Sequence, residues 1–400
     1  MFTSTTGTQL HKIAVLITIA MFFPVLLMLL NPAIQTGTSP ESIRYALMDK
    51  SGLQIHTNTV NPGIHTLAAD SENSLVIRIN VTDGNGTSVS GAAVKLEASG
   101  PTGMSEGTLK PSDGFTDGSG SFISVYTPPD YLKADSGEFD AFAANADYVL
   151  ITSRLSGMDK SSSIRIGLIS APVVFVHGYQ ATPDIFSGIS EYLKLQGYKP
   201  MAISYPSRNG VAAAASALSG YLKEKAAELR NSGIQIKRFD LIAHSMGGLV
   251  ARYYTCSSEY AARGDVRKLI FISVPQKGSP FASLGIQYYN DESMKDLVPG
   301  GSLYSSVFPS MINAGLNPSI QTGNLLGRFD EVVGTESASL AEWKIETEIF
   351  EVGKSNFTVD KLLNGELLQA TNHKLVLYNK KVYERIQQML KTDIPYPVSK

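Results

Sequence analysis

Serine chemistry needs a hydroxyl held clear of its own backbone and a base close enough to take its proton. One stretch of the 400-residue chain offers the first of these, Phe239-Asp-Leu-Ile-Ala-His-Ser-Met-Gly-Gly-Leu-Val-Ala-Arg252. A short apolar run leads into Ser245 and a helical pattern leads out of it. Ala243 and Gly247 stand two residues before and two after the serine. Small side chains there let a strand turn sharply into a helix without Cβ collisions, which lifts the hydroxyl above the sheet. The backbone N–H of Met246 then faces the same space. Taken alone, the pattern also fits an ordinary Ser-Gly turn at a strand–helix junction, so the rest of the chain must decide.

The elements that would hold such a serine follow a repeating order. Pro172-Val-Val-Phe-Val-His-Gly178 reads as a continuous apolar strand of the kind buried in parallel sheets. A helix is expected at 183–195, a strand at 201–205 and a long helix at 211–230. Lys268-Leu-Ile-Phe-Ile-Ser-Val274 adds a further strand after the serine-bearing unit. Repeated strand–helix units imply a doubly wound, mostly parallel α/β sheet over 168–400.

Upstream the pattern is different. Residues 70–160 carry short alternating strands broken by Gly, Asn and Asp turns, among them Ser74-Leu-Val-Ile-Arg-Ile-Asn-Val-Thr82, Ser121-Phe-Ile-Ser-Val-Tyr126 and Glu138-Phe-Asp-Ala-Phe-Ala143. That pattern predicts an all-β antiparallel sandwich. Residues 32–69, rich in Thr, Ser, Pro, Asn and Gly, read as a linker or stalk. Before them, residues 13–30 form an uncharged, mostly apolar run behind His11 and Lys12. As a helix this run would span about 27 Å, close to a hydrocarbon core of about 30 Å. Residues 1–31 are therefore expected to be a membrane anchor or signal sequence. The retained anchor is favoured, because the run exceeds a usual signal-peptide core and no clear A-x-A site follows.

Composition excludes several classes. Lys and Arg total 34 against 36 Asp and Glu, so no basic excess points to nucleic acid. Cys256 is the single cysteine, which rules out an intrachain disulfide and a cysteine metal cluster.

With these motifs in place, two resemblances stand out. Val81-Thr-Asp-Gly-Asn-Gly-Thr-Ser-Val-Ser-Gly-Ala-Ala-Val-Lys95 and Thr116-Asp-Gly-Ser-Gly-Ser-Phe122 resemble the bacterial immunoglobulin-like modules of surface proteins. That resemblance implies a spacer or adhesion module with a cell-surface partner and no chemistry of its own. Val176-His-Gly-Tyr179, Ala243-His-Ser-Met-Gly-Gly248, Ile272-Ser-Val-Pro-Gln-Lys-Gly-Ser-Pro280 and Asp296-Leu-Val-Pro-Gly300 resemble the lipase and esterase branch of the α/β-hydrolase superfamily. The likeness runs from about Val173 to Leu390, and the leading Ala243 is similar to the elbow of small bacterial lipases.

The second resemblance implies the chain order nucleophile, acid, histidine. Of the six histidines only His373 follows Ser245, so that order selects it as the base. The loop Gly327-Arg-Phe-Asp-Glu-Val-Val-Gly-Thr-Glu-Ser-Ala338 resembles the family's acid loop and places the acid at Asp330. Glu331 is its first substitute; Asp360 and Asp296 are weaker ones. Backbone N–H groups of Tyr179 and Met246 would form the oxyanion hole, with His177, Gly178, His244 and Gly247 as supporting positions. The implied activity is hydrolysis of small-molecule or lipid esters through an acyl-enzyme, with no metal or organic cofactor. Acyl transfer or deacylation on thioesters, amides or lipid-linked glycans is the rival reading, and a non-catalytic adhesion protein is the other. Residues 281–323 hold many apolar side chains, which would either form a cap over the acyl site or complete the core. Trp343 is expected to be structural, and the sequons at Asn80, Asn85 and Asn356 matter only to an exported chain that meets a glycosylation system.

Overall fold

The computed structural model describes residues 51–100, 106–132, 147–354 and 371–400. The apolar run at 13–30, the expected strand at 138–143, Asp360 and the Asn356 sequon lie outside the described residues. Among the described residues no helix is long and apolar enough to cross a membrane.

The N-terminal part is a sandwich of two sheets. One has the order β1 (Gln54–Thr59), β3 (Leu75–Thr82), β7 (Ser121–Thr127), β5 (Thr108–Lys110), all antiparallel. The other runs β12 (Ile234–Gln235), β2 (Thr66–Ala69), β9 (Ser161–Ser170), β8 (Tyr148–Leu155), β4 (Ala93–Ser99), β6 (Asp113–Phe115). Alternation drives the packing: Leu75, Ile77, Ile79 and Val81 of β3 all point into one apolar core while the residues between them face outward. The expected stalk at 32–69 is corrected here, because β1 and β2 lie inside it. Their short, polar sequences disguise them: Gln-Ile-His-Thr-Asn-Thr buries only Ile55 and Thr57. The sandwich also runs ten residues past its expected end, through β9 to Ser170.

A six-stranded sheet follows, in the order β11 (Pro200–Ile203), β10 (Val173–Val176), β13 (Phe239–His244), β14 (Val266–Ile272), β15 (Gln321–Gly327), β16 (Thr347–Phe350), with every pairing parallel. Its two faces are both covered. Val174 and Val176 pack with the helices Val211–Asn231 and Met246–Thr255, whereas Val173 and Phe175 pack with Ser187–Leu195 and Lys380–Lys391. This is the doubly wound α/β sheet expected from the sequence.

The two parts are joined by more than a linker. β12, from the second part, adds in parallel to β2 of the sandwich. Buried Arg267 on β14 forks onto Asp240 of β13, at 2.9 and 2.6 Å, and also donates to the carbonyls of Ala69 (3.1 Å) and Asp130 (2.7 Å). Arg238 pairs in the same way with the fully buried Asp70. Lys268 sits over the Tyr131 ring at 4.4 Å, and desolvation pulls its pKa down to about 8.

The segment 281–323 divides in two. Met294, Leu297, Leu303 and Phe308 are buried in the core shared with the helix Met246–Thr255. Leu284, Tyr288, Tyr289 and Ile312 are exposed. Trp343 is buried, with its indole N–H donating to the Asn313 carbonyl.

Candidate active site

Ser245 stands between the end of β13 and the helix Met246–Thr255, with φ 55° and ψ −133°. A non-glycine residue at positive φ is strained and persists only where its surroundings enforce it. Enforcement comes from both sides of the turn. The Ser245 N–H donates to the Ile272 carbonyl (3.1 Å), and its own carbonyl accepts from Gly248 (2.9 Å). A Cβ on Gly247 would collide with the Val176 and His177 carbonyls, so only glycine fits the position. The Ser245 side chain does not cap the helix that follows.

The loop after β10 lies directly over the serine. A Cβ on Gly178 would come within 2.7 Å of Ser245 Cβ and 3.2 Å of its Oγ. Without that atom the chain at Gly178–Tyr179 can approach the Ser245 hydroxyl. Tyr179 is fixed by its own hydroxyl, which donates to Asp291 Oδ2 at 2.6 Å. Asp291 is in turn the N-cap of the helix Glu292–Leu297, accepting from the Met294 N–H. His177 is buried, stacks on Tyr205 with ring centroids 4.2 Å apart, and bonds through Nδ1 to the Gly178 carbonyl.

Asp330 and His373, 43 residues apart in sequence, meet at the C-terminal side of the sheet. His373 Nδ1 donates to Asp330 Oδ2 at 2.8 Å and lies 3.0 Å from Oδ1. An ionised carboxylate only accepts, so this contact places the proton on Nδ1 and the lone pair on Nε2. Asp330 Oδ1 also accepts the N–H groups of Val332 and Val333, at 2.9 and 2.8 Å. Burial works against ionisation of Asp330, but attraction to His373 and the hydrogen bond from it prevail, and the net pKa is lowered. The buried Ser273 hydroxyl, short of a full hydrogen bond, adds to that lowering.

His373 is held at its backbone as well. Its N–H and that of Asn372 donate to the two oxygens of Glu331, at 3.2 and 3.0 Å. His244, the residue before the serine, donates from Nε2 to the His373 carbonyl at 3.1 Å, and the two rings lie 4.6 Å apart. The other candidate acids are elsewhere. Asp296 accepts the Val211 N–H (2.7 Å) at the start of the helix Val211–Asn231, and Glu331 faces backbone rather than imidazole. Sequence reasoning missed Asp291, Tyr205 and Ser273. Of these only Asp291 carried a signal, as an Asp one residue before a helical pattern.

Buried neutral imidazoles make the site sensitive to acid. Desolvation, reinforced by repulsion from His373, takes His244 down to about 3, and burial also lowers His177. An unfolded chain protonates its histidines near pH 6.5, so below that value it binds more protons than the folded one. The stability carried by neutral His244 is whole above about pH 6.5 and drains as pH falls toward 3, by roughly a few kcal/mol. Urea midpoints should therefore fall between pH 7 and pH 4, and fall less steeply in His244→Gln. Equal slopes in the two proteins would contradict a buried neutral His244.

The chain matches the PGAP1-like alpha/beta domain family over residues 211–292. Among solved structures it is similar to a Bacillus licheniformis lipase, BlEst2, in propeptide form, at 15% identity and TM-score 0.45, covering 57% of this chain and 52% of that one. It thus spans about half the length of that lipase. Aspergillus fumigatus lipase B gives 15% identity and TM-score 0.41 over 56% of this chain and 54% of its own. The D00-D0 domain of intimin gives 14% identity and TM-score 0.22 over 31% of this chain and 50% of its own. No curated protein matches the chain. The parallel sheet order, the elbow between β13 and its helix, and the family match make the second part an α/β-hydrolase fold, preceded by a β-sandwich.

Proposed function

We propose that the protein is a serine hydrolase of carboxylic esters, lipid or acyl esters above all, working through an acyl-enzyme on Ser245. The observation that carries this reading is the buried His373–Asp330 pair, packed against the elbow residue His244. His373 Nε2 takes the Ser245 proton as Oγ attacks the ester carbonyl. The N–H groups of Tyr179 and Met246 receive the oxyanion, each such donor being worth about 2.7–4 kcal/mol where measured. His373 then gives the proton to the departing alcohol. A water, deprotonated by the same imidazole, attacks the acyl carbonyl, and Ser245 Oγ leaves with the proton returned to it. Asp330 keeps the lone pair on Nε2 and stabilises the imidazolium between these steps.

Residues 1–31 would anchor the chain in a membrane, or export it, with the catalytic domain outside the cytoplasm. The sandwich would then stand between membrane and active site, where a cell-surface partner could meet it. A panel of p-nitrophenyl esters of graded acyl length tests the reaction class. Turnover that rises or falls smoothly with chain length and disappears in Ser245→Ala is the expected result. Turnover of thioester or amide analogues with none of any ester would contradict it.

A further inference from the structure

We propose that Glu331 is a positioning residue for the base, fixing the backbone of His373 as its neighbour Asp330 fixes the ring. The inference rests on the proposed serine-hydrolase reading and deepens it. The dipeptide Asp330-Glu331 divides the work between two adjacent carboxylates. Asp330 reaches the imidazole Nδ1, while Glu331 turns to the main chain and accepts one N–H on each oxygen, from Asn372 and His373. Both N–H groups lie in the first turn of the short helix Thr371–Leu375, where they have no partner within the helix.

The geometry gives His373 three separate points of attachment. Asp330 holds the ring, Glu331 holds the N–H, and His244 on the elbow holds the carbonyl. Asn372 extends the hold, donating from Nδ2 to the carbonyls of Phe329 and Lys354 at 2.9 and 3.1 Å. A ring fixed only at Nδ1 can still pivot about that bond, and the pivot swings Nε2 away from the serine hydroxyl. Fixing the backbone on both sides of the Cα removes the pivot. Misplacement of a reacting group by about 1 Å costs about 10²-fold in rate.

The test compares Glu331→Ala, Glu331→Gln, Asp330→Asn and Ser245→Ala on one p-nitrophenyl ester across pH 5–9. Glu331→Ala should lower kcat by roughly 10- to 100-fold with KM within about twofold, and leave the midpoint of the pH–rate profile in place. Glu331→Gln keeps an amide oxygen for one of the two N–H groups and should recover most of the loss. Asp330→Asn, which reverses the tautomer, should cost about 10⁴-fold. Wild-type kcat in Glu331→Ala overturns the proposal. So does a Glu331→Gln enzyme as damaged as Asp330→Asn with a displaced pH profile, since Glu331 would then be the acid itself. If Glu331→Ala does not fold, Glu331→Leu decides: it keeps much of the side-chain bulk but offers no acceptor to either N–H, and wild-type kcat in it overturns the proposal just as firmly. Undiminished activity in Ser245→Ala would defeat the underlying hydrolase reading instead, and so is told apart.

Discussion

Replacement of Ser245 by alanine is expected to lower kcat by about 10⁶-fold while leaving KM and stability nearly unchanged; comparable deletions in a serine protease cost that much. The size follows from the division of labour at the site. In the proposed mechanism the imidazole–carboxylate pair has one task, to take and return the serine proton, and would lose it when the hydroxyl goes. What remains is binding and the oxyanion donors, worth about 10³–10⁴ over water. Stability is expected to hold because the turn is enforced by its surroundings. The Ser245 N–H and carbonyl are both bonded to backbone, and the side chain caps nothing. Alanine occupies φ 55° with the same strain as serine. A melting temperature several degrees lower would mean that the hydroxyl holds the elbow together, which the geometry does not allow.

The largest expected effect on stability lies at the opposite end of β13 and β14. Arg267→Ala should destabilise the protein by about 3–5 kcal/mol, read from the urea midpoint. Arg267 and Asp240 are both almost fully buried, so losing the guanidinium strands a carboxylate in a site it cannot leave. The same substitution removes two donors that bind the Ala69 and Asp130 carbonyls, and with them part of the contact between the sandwich and the α/β part. An apolar double replacement, Arg267→Met with Asp240→Leu, leaves no stranded charge and should regain much of the loss. A change below about 1 kcal/mol in Arg267→Ala would place this pair with exposed salt bridges. The pair also bears on the sandwich itself. A spacer would be expected to separate cleanly, yet this one shares a sheet with β12 and lends buried carbonyls and the Asp70 carboxylate to the α/β part.

How much of this was legible depended on the range of the contacts involved. The elbow was readable because its requirements are local: small residues two positions either side of Ser245, in a strand–helix junction. The parallel sheet was readable because strands buried on both faces are continuous apolar runs, as in Val173–Val176. His373 followed from chain order, and the Asp330 loop from its likeness to a known loop. The three-point hold on His373 was not readable, since Glu331, His244 and His373 meet across 42 and 129 residues. Glu331 looked like a second-choice acid because sequence shows a carboxylate and not the direction it faces. β2 was hidden for a related reason. Its parallel partner β9 lies a hundred residues downstream, and a four-residue strand among Thr, Asn and Gly has too few positions to display a period. Arg267-Lys268 did interrupt an apolar strand, a visible anomaly whose partners on β13, the sandwich and the C-terminal helix only the fold supplies.

Ser245 is proposed to be a nucleophile activated by His373. Incubation with a serine-reactive fluorophosphonate, followed by peptide mapping in a mass spectrometer, tests it most directly. One covalent adduct is expected, on Ser245, absent from Ser245→Ala and formed far more slowly in His373→Ala. An adduct on any other residue, or equal labelling rates with and without His373, would contradict it.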